Sequence, residues 1–183
     1  MARILIPIAH GSEELEAVTL IDLLRRADFQ VVVAGLEPGP VTCSRGVVLK
    51  PDVLLDEVLD DPFDLVVLPG GLAGANRLDA DPRIHALLHS MQEEGRFIGA
   101  ICAAPKVLGS AGLLKGRTAT GHPAVVKTLD LPETRFTGQP VEVDGNIATS
   151  QGPGTAMDFA LTLIELLAGT DKRREVEGPL CRP

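Results

Sequence analysis

The sequence has neither tryptophan nor tyrosine, and only five phenylalanines among 183 residues. Aromatic platforms on which bases could stack are therefore nearly absent. A formal net charge of -8 also argues against a surface that tracks a phosphate backbone. No nucleic acid is expected as a ligand. Cysteine is scarce: Cys43, Cys102 and Cys181 lie far apart and no C-x-x-C pair occurs. This excludes a dithiol motif and the usual ligand spacing of a zinc site. The odd, sparse count fits a reducing compartment. Long apolar runs are missing too. Ile4 to Ala9 is interrupted by Pro7 and is too short for a signal-peptide core. Phe159 to Ala168 contains Glu165 and falls far short of a bilayer span. A cytoplasmic protein that does not enter a membrane is expected. Nor is there a G-x-G-x-x-G after the first strand, or a P-loop lysine after Gly70-Gly71.

What is present centres on Gly95 to Pro105. An apolar run, Phe97 to Ile101, stops at Cys102; small residues and Pro105 follow, then an apolar stretch from Val107 to Leu114. Continuous apolar runs of this length suit a strand buried on both faces. Proline suits the first turn of a helix. The spacing thus predicts strand, sharp turn and helix, with Cys102 at the turn, the arrangement of a nucleophile elbow. A helix N-terminus there would favour the thiolate. A small buried hydrophobe would also satisfy the pattern.

Elsewhere strands and helices alternate. Arg3 to Ala9 reads as a buried strand. Ser12 is a candidate N-cap for a helix to about Asp28, with Ala17, Leu20, Ile21, Leu24 and Ala27 as its apolar stripe. Gln30 to Ala34 is a strand, and Val41–Cys43 with Val47–Leu49 forms a small hairpin. Leu54 to Leu59 is read as a short helix, and Asp64 to Leu68 as a strand ending in Pro69-Gly70-Gly71. Two helices split near Pro82. Arg117 to Thr120 is a short strand before Gly121-His122-Pro123. Val141 to Ser150 is a hairpin turning at Asp144-Gly145. A helix runs from Thr155 to Ala168, and another is expected from Asp171. With 45% hydrophobic residues and no linker, one domain spanning residues 1–183 is expected.

Such alternation implies an α/β fold: a doubly wound parallel sheet between helices, with a small β-hairpin excursion. Ligands bind outside the carboxyl ends of such strands. His10, Gly70-Gly71, Cys102, His122 and Gly152-Pro153-Gly154 all fall there. Gly70-Gly71 reads equally as a tight turn or as backbone N–H aimed at an oxyanion. The helical stripe does not choose among Glu13, Glu14 and Glu16, since all three complement the dipole. His85 and His89 have metal-like spacing but no third ligand, so they are read as solvent-side residues and no metal is expected. Lys172-Arg173-Arg174 is read as a solvated helix face.

Five ordered stretches carry a resemblance: Ala9-His10-Gly11-Ser12-Glu13-Glu14-Leu15-Glu16, Cys43-Ser44-Arg45-Gly46, Leu68-Pro69-Gly70-Gly71, Ala100-Ile101-Cys102-Ala103-Ala104-Pro105 and Thr149-Ser150-Gln151-Gly152-Pro153-Gly154-Thr155. Together they resemble the ThiJ/PfpI superfamily, in the branch of the parkinsonism-associated deglycase and bacterial YajL. The resemblance implies a flavodoxin-like fold, a homodimer and no cofactor. It implies a nucleophilic Cys102, a partner Glu16, and oxyanion or substrate contacts at Gly70, Gly71 and Ala103. His122 falls where a histidine assists in some members. Two departures matter. Ala103 stands where the protease and amidotransferase-like branches carry a histidine, which argues against a Cys-His protease. Lys50 stands where some members carry a second cysteine.

The activity implied is attack of the Cys102 thiolate on glyoxal, methylglyoxal or their adducts with amino and thiol groups, giving a 2-hydroxy acid. A protonated Glu16, its pKa raised by burial, would donate to the thiolate and then move protons. The alternative is a redox-responsive chaperone or sensor in which Cys102 is oxidised to the sulfinic acid without turnover.

Overall fold

Along the first strand Ile4, Ile6 and Ile8 bury against one helical layer and Leu5 against the other, and all four are fully buried. This is why the segment reads as an unbroken apolar run. The computed structural model describes residues 1–182. The elements are β1 (Arg3–Ile8), α1 (Glu14–Arg26), β2 (Gln30–Gly35), β3 (Val41–Thr42), β4 (Val48–Leu49), β5 (Val53–Leu54), β6 (Leu65–Leu68), α2 (Leu72–Ala80), α3 (Pro82–Glu93), β7 (Phe97–Ile101), α4 (Pro105–Ser110), β8 (Thr118–Ala119), α5 (Pro123–Val126), β9 (Arg135–Phe136), β10 (Val141–Asp144), β11 (Ile147–Ser150) and α6 (Ala156–Glu177).

A seven-stranded sheet runs in the order β10-β11-β7-β6-β1-β2-β5. Every neighbouring pair is parallel except β10 with β11. The expected parallel sheet therefore gains one antiparallel edge, because a turn at Gly145-Asn146, one residue beyond the expected Asp144-Gly145, returns β11 along β10. Helices α1 and α6 cover one face, through Leu20, Leu24, Phe159 and Ile164. Helices α3 and α4 cover the other, through Ile84, Leu88, Val107 and Leu108, with Leu78 of α2 beside them. This is the expected flavodoxin-like α/β sandwich. Pro7 is tolerated in a central strand because the β1–β6 ladder is registered only at Ile4 and Leu5, while pairing with β2 continues to Ile8.

Other differences have local causes. Leu54 to Leu59 is not a helix: Leu54 closes β5, which pairs with β2, and only a single 3-10 turn, Leu55–Glu57, follows. The helix expected through Leu114 stops at Ser110, since Gly112 takes a φ of 74°. β8 lies outside the main sheet and pairs with β9, a strand too short to show a period. Gly169, at φ 83°, breaks α6 where the sequence places the gap between two helices. Ser12 does not cap α1. Its hydroxyl accepts from Ala9 N–H at 3.1 Å, and Glu13 is the cap, accepting from Glu16 N–H at 2.8 Å. The basic run near the end is paired rather than simply solvated: Lys172 meets Glu175 and Asp28, and Arg173 meets Glu165.

Candidate functional site

Strands β1, β6, β7 and β11 run parallel, so their carboxyl ends share one rim. Cys102 follows β7 directly and takes the left-handed conformation, φ 64°, as one of three non-glycine residues with positive φ among the described residues. That conformation costs a side-chain-bearing residue about 1–2 kcal/mol. The turn is held from both sides: Cys102 N–H donates to Ser150 O at 2.9 Å and Cys102 O accepts from His122 N–H at 2.7 Å. Only 9% of the residue is exposed. The N–H groups of Gly71, which caps α2, and of Ala103 are directed at the sulphur and pull its pKa down.

Glu16 is fully buried on the first turn of α1. One carboxyl oxygen, Oε2, accepts from Gly70 N–H at 2.7 Å; Oε1 is buried without a hydrogen-bond partner. Gly70 separates the carboxyl from the cysteine. A Cβ there would stand 2.5 Å from Cys102 Cβ and 2.6 Å from Glu16 Oε2, so only glycine lets the two approach. Burial, outweighing the Gly70 and Cys102 hydrogen-bonding contributions, pushes the Glu16 carboxyl up to about 7. Burial also pushes the Cys102 thiol up, with the Glu16 carboxylate adding to it, to about 12. Burial and the Glu16 carboxylate thus act against the expected thiolate, and the Gly71 and Ala103 N–H groups act for it. The helix after Cys102 begins only at Pro105 and is six residues long, and its N-terminus is outweighed by burial and by a neighbouring carboxylate. Thiol and carboxyl titrate as one pair.

The Glu16 shift has a consequence for stability. An acid whose folded pKa is raised from 4.5 to about 7 holds its proton longer folded than unfolded. The unfolded chain then binds fewer protons across that window, so stability falls as pH rises through it. Relative to Glu16→Gln, which cannot ionise, the wild type should lose on the order of 3 kcal/mol across the window. Urea unfolding of both proteins on either side of it measures this; a pH-independent difference would contradict the burial argument.

The three glutamates have separate tasks. Glu13 caps α1. Glu14 accepts from Ser44 Oγ at 2.8 Å and Arg45 N–H at 2.8 Å, fixing the β3–β4 hairpin to the start of α1. Burial opposes ionisation of Glu14, but hydrogen bonds from its own backbone, Ser44, Val47 and Arg45 hold its carboxyl below the usual range. Glu16 alone reaches the cysteine. His122 arrives from β8 rather than from the main sheet. Its Nδ1 accepts from Ala124 N–H at 3.3 Å, which caps α5 and leaves the ring proton of the neutral imidazole on Nε2. Gly152, to which the sequence gives no task of its own, lies across the thiol. A Cβ there would meet His122 Cδ2 at 3.8 Å and Cys102 Sγ at 4.0 Å. His85 turns back onto Asp79 O at 2.8 Å and His89 is exposed. No group of three or more metal-ligating side chains occurs among the described residues. No described helix is long and apolar enough to cross a membrane.

The arrangement defines a class: an α/β sandwich with a cysteine at a strained strand-to-helix turn, faced by two backbone donors and a buried carboxyl. The chain belongs to the DJ-1/PfpI family, which matches residues 2–166. It is 44% identical over 173 residues to protein dj-1beta of Drosophila melanogaster, covering 94% of this chain and 92% of that one. The crystal structure of Drosophila melanogaster DJ-1beta superposes with a TM-score of 0.96 at 42% identity, covering 100% of this chain and 98% of that one. A Caenorhabditis elegans relative, named glutathione-independent glyoxalase DJR-1.2, is 37% identical over 180 residues, covering 98% of this chain and 95% of its own. Against DJ-1 homolog B of Arabidopsis thaliana, 42% identical, this chain spans only 41% of the relative's length.

Proposed function

We propose that this protein converts small 1,2-dicarbonyl aldehydes, glyoxal and methylglyoxal first among them, into 2-hydroxy acids without a cofactor. Their adducts with amino and thiol groups would enter the same site. The observation that carries this reading is the Cys102–Glu16 pair, a thiol and a buried carboxyl of raised pKa on either side of Gly70, with the Gly71 and Ala103 N–H groups directed at the sulphur. The name of the Caenorhabditis elegans relative supports it.

A carboxyl near pKa 7 is matched to general acid–base work at neutral pH. As Sγ attacks the aldehyde carbon, Glu16 takes the thiol proton. The carbonyl electron pair moves onto oxygen, where the Gly71 and Ala103 N–H groups receive the charge. Glu16 returns the proton to that oxygen, giving a hemithioacetal. The carboxylate next removes the proton on the carbon bound to sulphur, and the resulting enediol is reprotonated at the neighbouring carbon. One carbon is oxidised and its neighbour reduced, so no external oxidant is needed. Water then cleaves the thioester, releasing the 2-hydroxy acid and restoring the thiol. His122 Nε2–H donates to the second carbonyl of the substrate.

Methylglyoxal incubated with the wild-type protein, with glutathione and other thiols left out, tests this. The expected result is loss of the aldehyde with one equivalent of 2-hydroxy acid formed. No consumption, or consumption only when glutathione is added, would contradict it.

A homodimer is also proposed. Leu15 and Val18 on α1 and Val47 and Val48 on the hairpin are 53%, 45%, 48% and 59% exposed, and Glu14 joins the two elements into one apolar surface around Ser44-Arg45-Gly46. Light scattering at micromolar concentration should give twice the chain mass for the wild type and the monomer mass for Val48→Glu. A monomeric wild type would refute the interface.

A further inference from the structure

We propose that Gly152 sets the size of the group that the Cys102 sulphur can carry, and so selects among 1,2-dicarbonyl substrates. The proposal rests on the aldehyde reading above, but its geometry does not. The glycines around Cys102 are not equivalent. On the Gly70 side the space is filled: a Cβ would lie 2.5 Å from Cys102 Cβ and 2.9 Å from Ile101 O. On the Gly152 side it would meet only the imidazole Cδ2 at 3.8 Å and Sγ at 4.0 Å. This is where a substituent on sulphur finds room.

Backbone conformation does not require glycine at this position. Gly152 has φ 166° and ψ -164°, extended geometry open to any residue. Its amide N–H donates to Thr155 Oγ1 at 3.1 Å and its carbonyl accepts from Thr155 N–H at 2.9 Å, contacts that a side chain would leave intact. What glycine supplies is empty volume. A methyl group there already stands at van der Waals distance from sulphur and imidazole. It leaves no space on that side for an atom bonded to Sγ.

The chemistry of the opposite wall fits the same ligand class. Cδ2 adjoins Nε2 in the ring, and with Nδ1 engaged by Ala124 N–H, Nε2 carries the proton. The group beside Gly152 is therefore offered one hydrogen-bond donor and little width. A second carbonyl bearing hydrogen or methyl satisfies both conditions. A carbonyl bearing an aromatic ring accepts the same hydrogen bond but needs more space.

The test compares wild type and Gly152→Ala, each with Cys43 and Cys181 replaced by Ser, on glyoxal, methylglyoxal and phenylglyoxal. Urea unfolding verifies the fold. Gly152→Ala is expected to lower kcat/KM in rising order along that series, with phenylglyoxal losing at least about tenfold more than glyoxal, as one methylene in a pocket is worth roughly 10–200-fold. The same two proteins are alkylated with iodoacetamide and with a bulky N-aryl iodoacetamide. The bulky reagent should lose at least about tenfold more rate than the small one. Equal losses for small and large reagents, or none, would overturn the proposal. If the wild type consumes none of the aldehydes, the aldehyde reading fails, and the alkylation ratio still decides the role of Gly152. Should Gly152→Ala not fold, His122→Ala removes the facing wall and should raise the bulky-to-small alkylation ratio by about tenfold or more. An unchanged ratio would count against the proposal.

Discussion

Glu16→Gln is expected to change two rates in opposite directions. Turnover of methylglyoxal should fall by roughly 10²–10⁴-fold, the usual worth of a positioned acid–base group. Alkylation of Cys102 by iodoacetamide near neutral pH should rise. Glutamine keeps the shape and an amide oxygen for the Gly70 N–H but removes the charge that helps raise the thiol pKa. Each unit by which that pKa falls gives about a tenfold gain in thiolate at neutral pH. A residue that only supported the fold would lower both rates together. A residue that stabilised a resting thiolate would also lower both, so a fall in alkylation would contradict the present assignment. Stopped assays of the two reactions on the same preparations, with Cys43 and Cys181 replaced by Ser, separate these cases.

Cys102→Ser should reduce aldehyde consumption to the rate in buffer. Serine fits the left-handed turn as well as cysteine, and its hydroxyl lies within reach of the same Gly71 and Ala103 N–H groups. Urea unfolding should therefore show the fold retained, at a cost of about 1–3 kcal/mol for the buried hydroxyl at most. What is lost is the nucleophile: a hydroxyl is much harder to ionise than a thiol, and its oxygen is a weaker nucleophile than sulphur. Substantial consumption by Cys102→Ser would place the chemistry on another residue.

The sandwich was legible because β1, β6 and β7 are buried on both faces and read as continuous apolar runs. The strand-to-helix turn at Cys102 was marked by an apolar run stopping before small residues and Pro105. Short pieces were less legible. β5, β8 and β9 have two residues each, too few for any period to show. Glu16 was harder for a different reason. The stripe read on α1 omitted Leu23, which is 2% exposed. With Leu23 included, the buried positions 16, 20, 23, 24 and 27 follow helical spacing, and Glu16 falls within that face, while the other buried acid of α1, Glu14, lies to one side of it. Only the family resemblance singled it out.

The sign of the coupling was not legible at all. Sequence placed a helix start beside the thiol and suggested a stabilised thiolate. It could not show that Cys102 would be 9% exposed or that a fully buried carboxyl would stand beside it across Gly70. Burial and like charge then outweigh the two N–H groups. Gly152 was visible as a residue of the rim but not as an opening, because its significance is the direction in which a missing side chain would point.

In the proposed reaction the aldehyde carbon becomes bonded to Cys102 sulphur, and Glu16 moves the protons on carbon once that bond has formed. This is tested most directly by nuclear magnetic resonance of methylglyoxal isotopically labelled at the aldehyde carbon, mixed with Glu16→Gln. With proton transfer on carbon blocked and Cys43 and Cys181 replaced by Ser, the labelled carbon should appear as a hemithioacetal in equimolar amount with the protein, and the signal should vanish when Cys102→Ser is added. A labelled hemithioacetal that persists when Cys102→Ser is added, or no bound signal in Glu16→Gln while the wild type still turns over, would contradict the account.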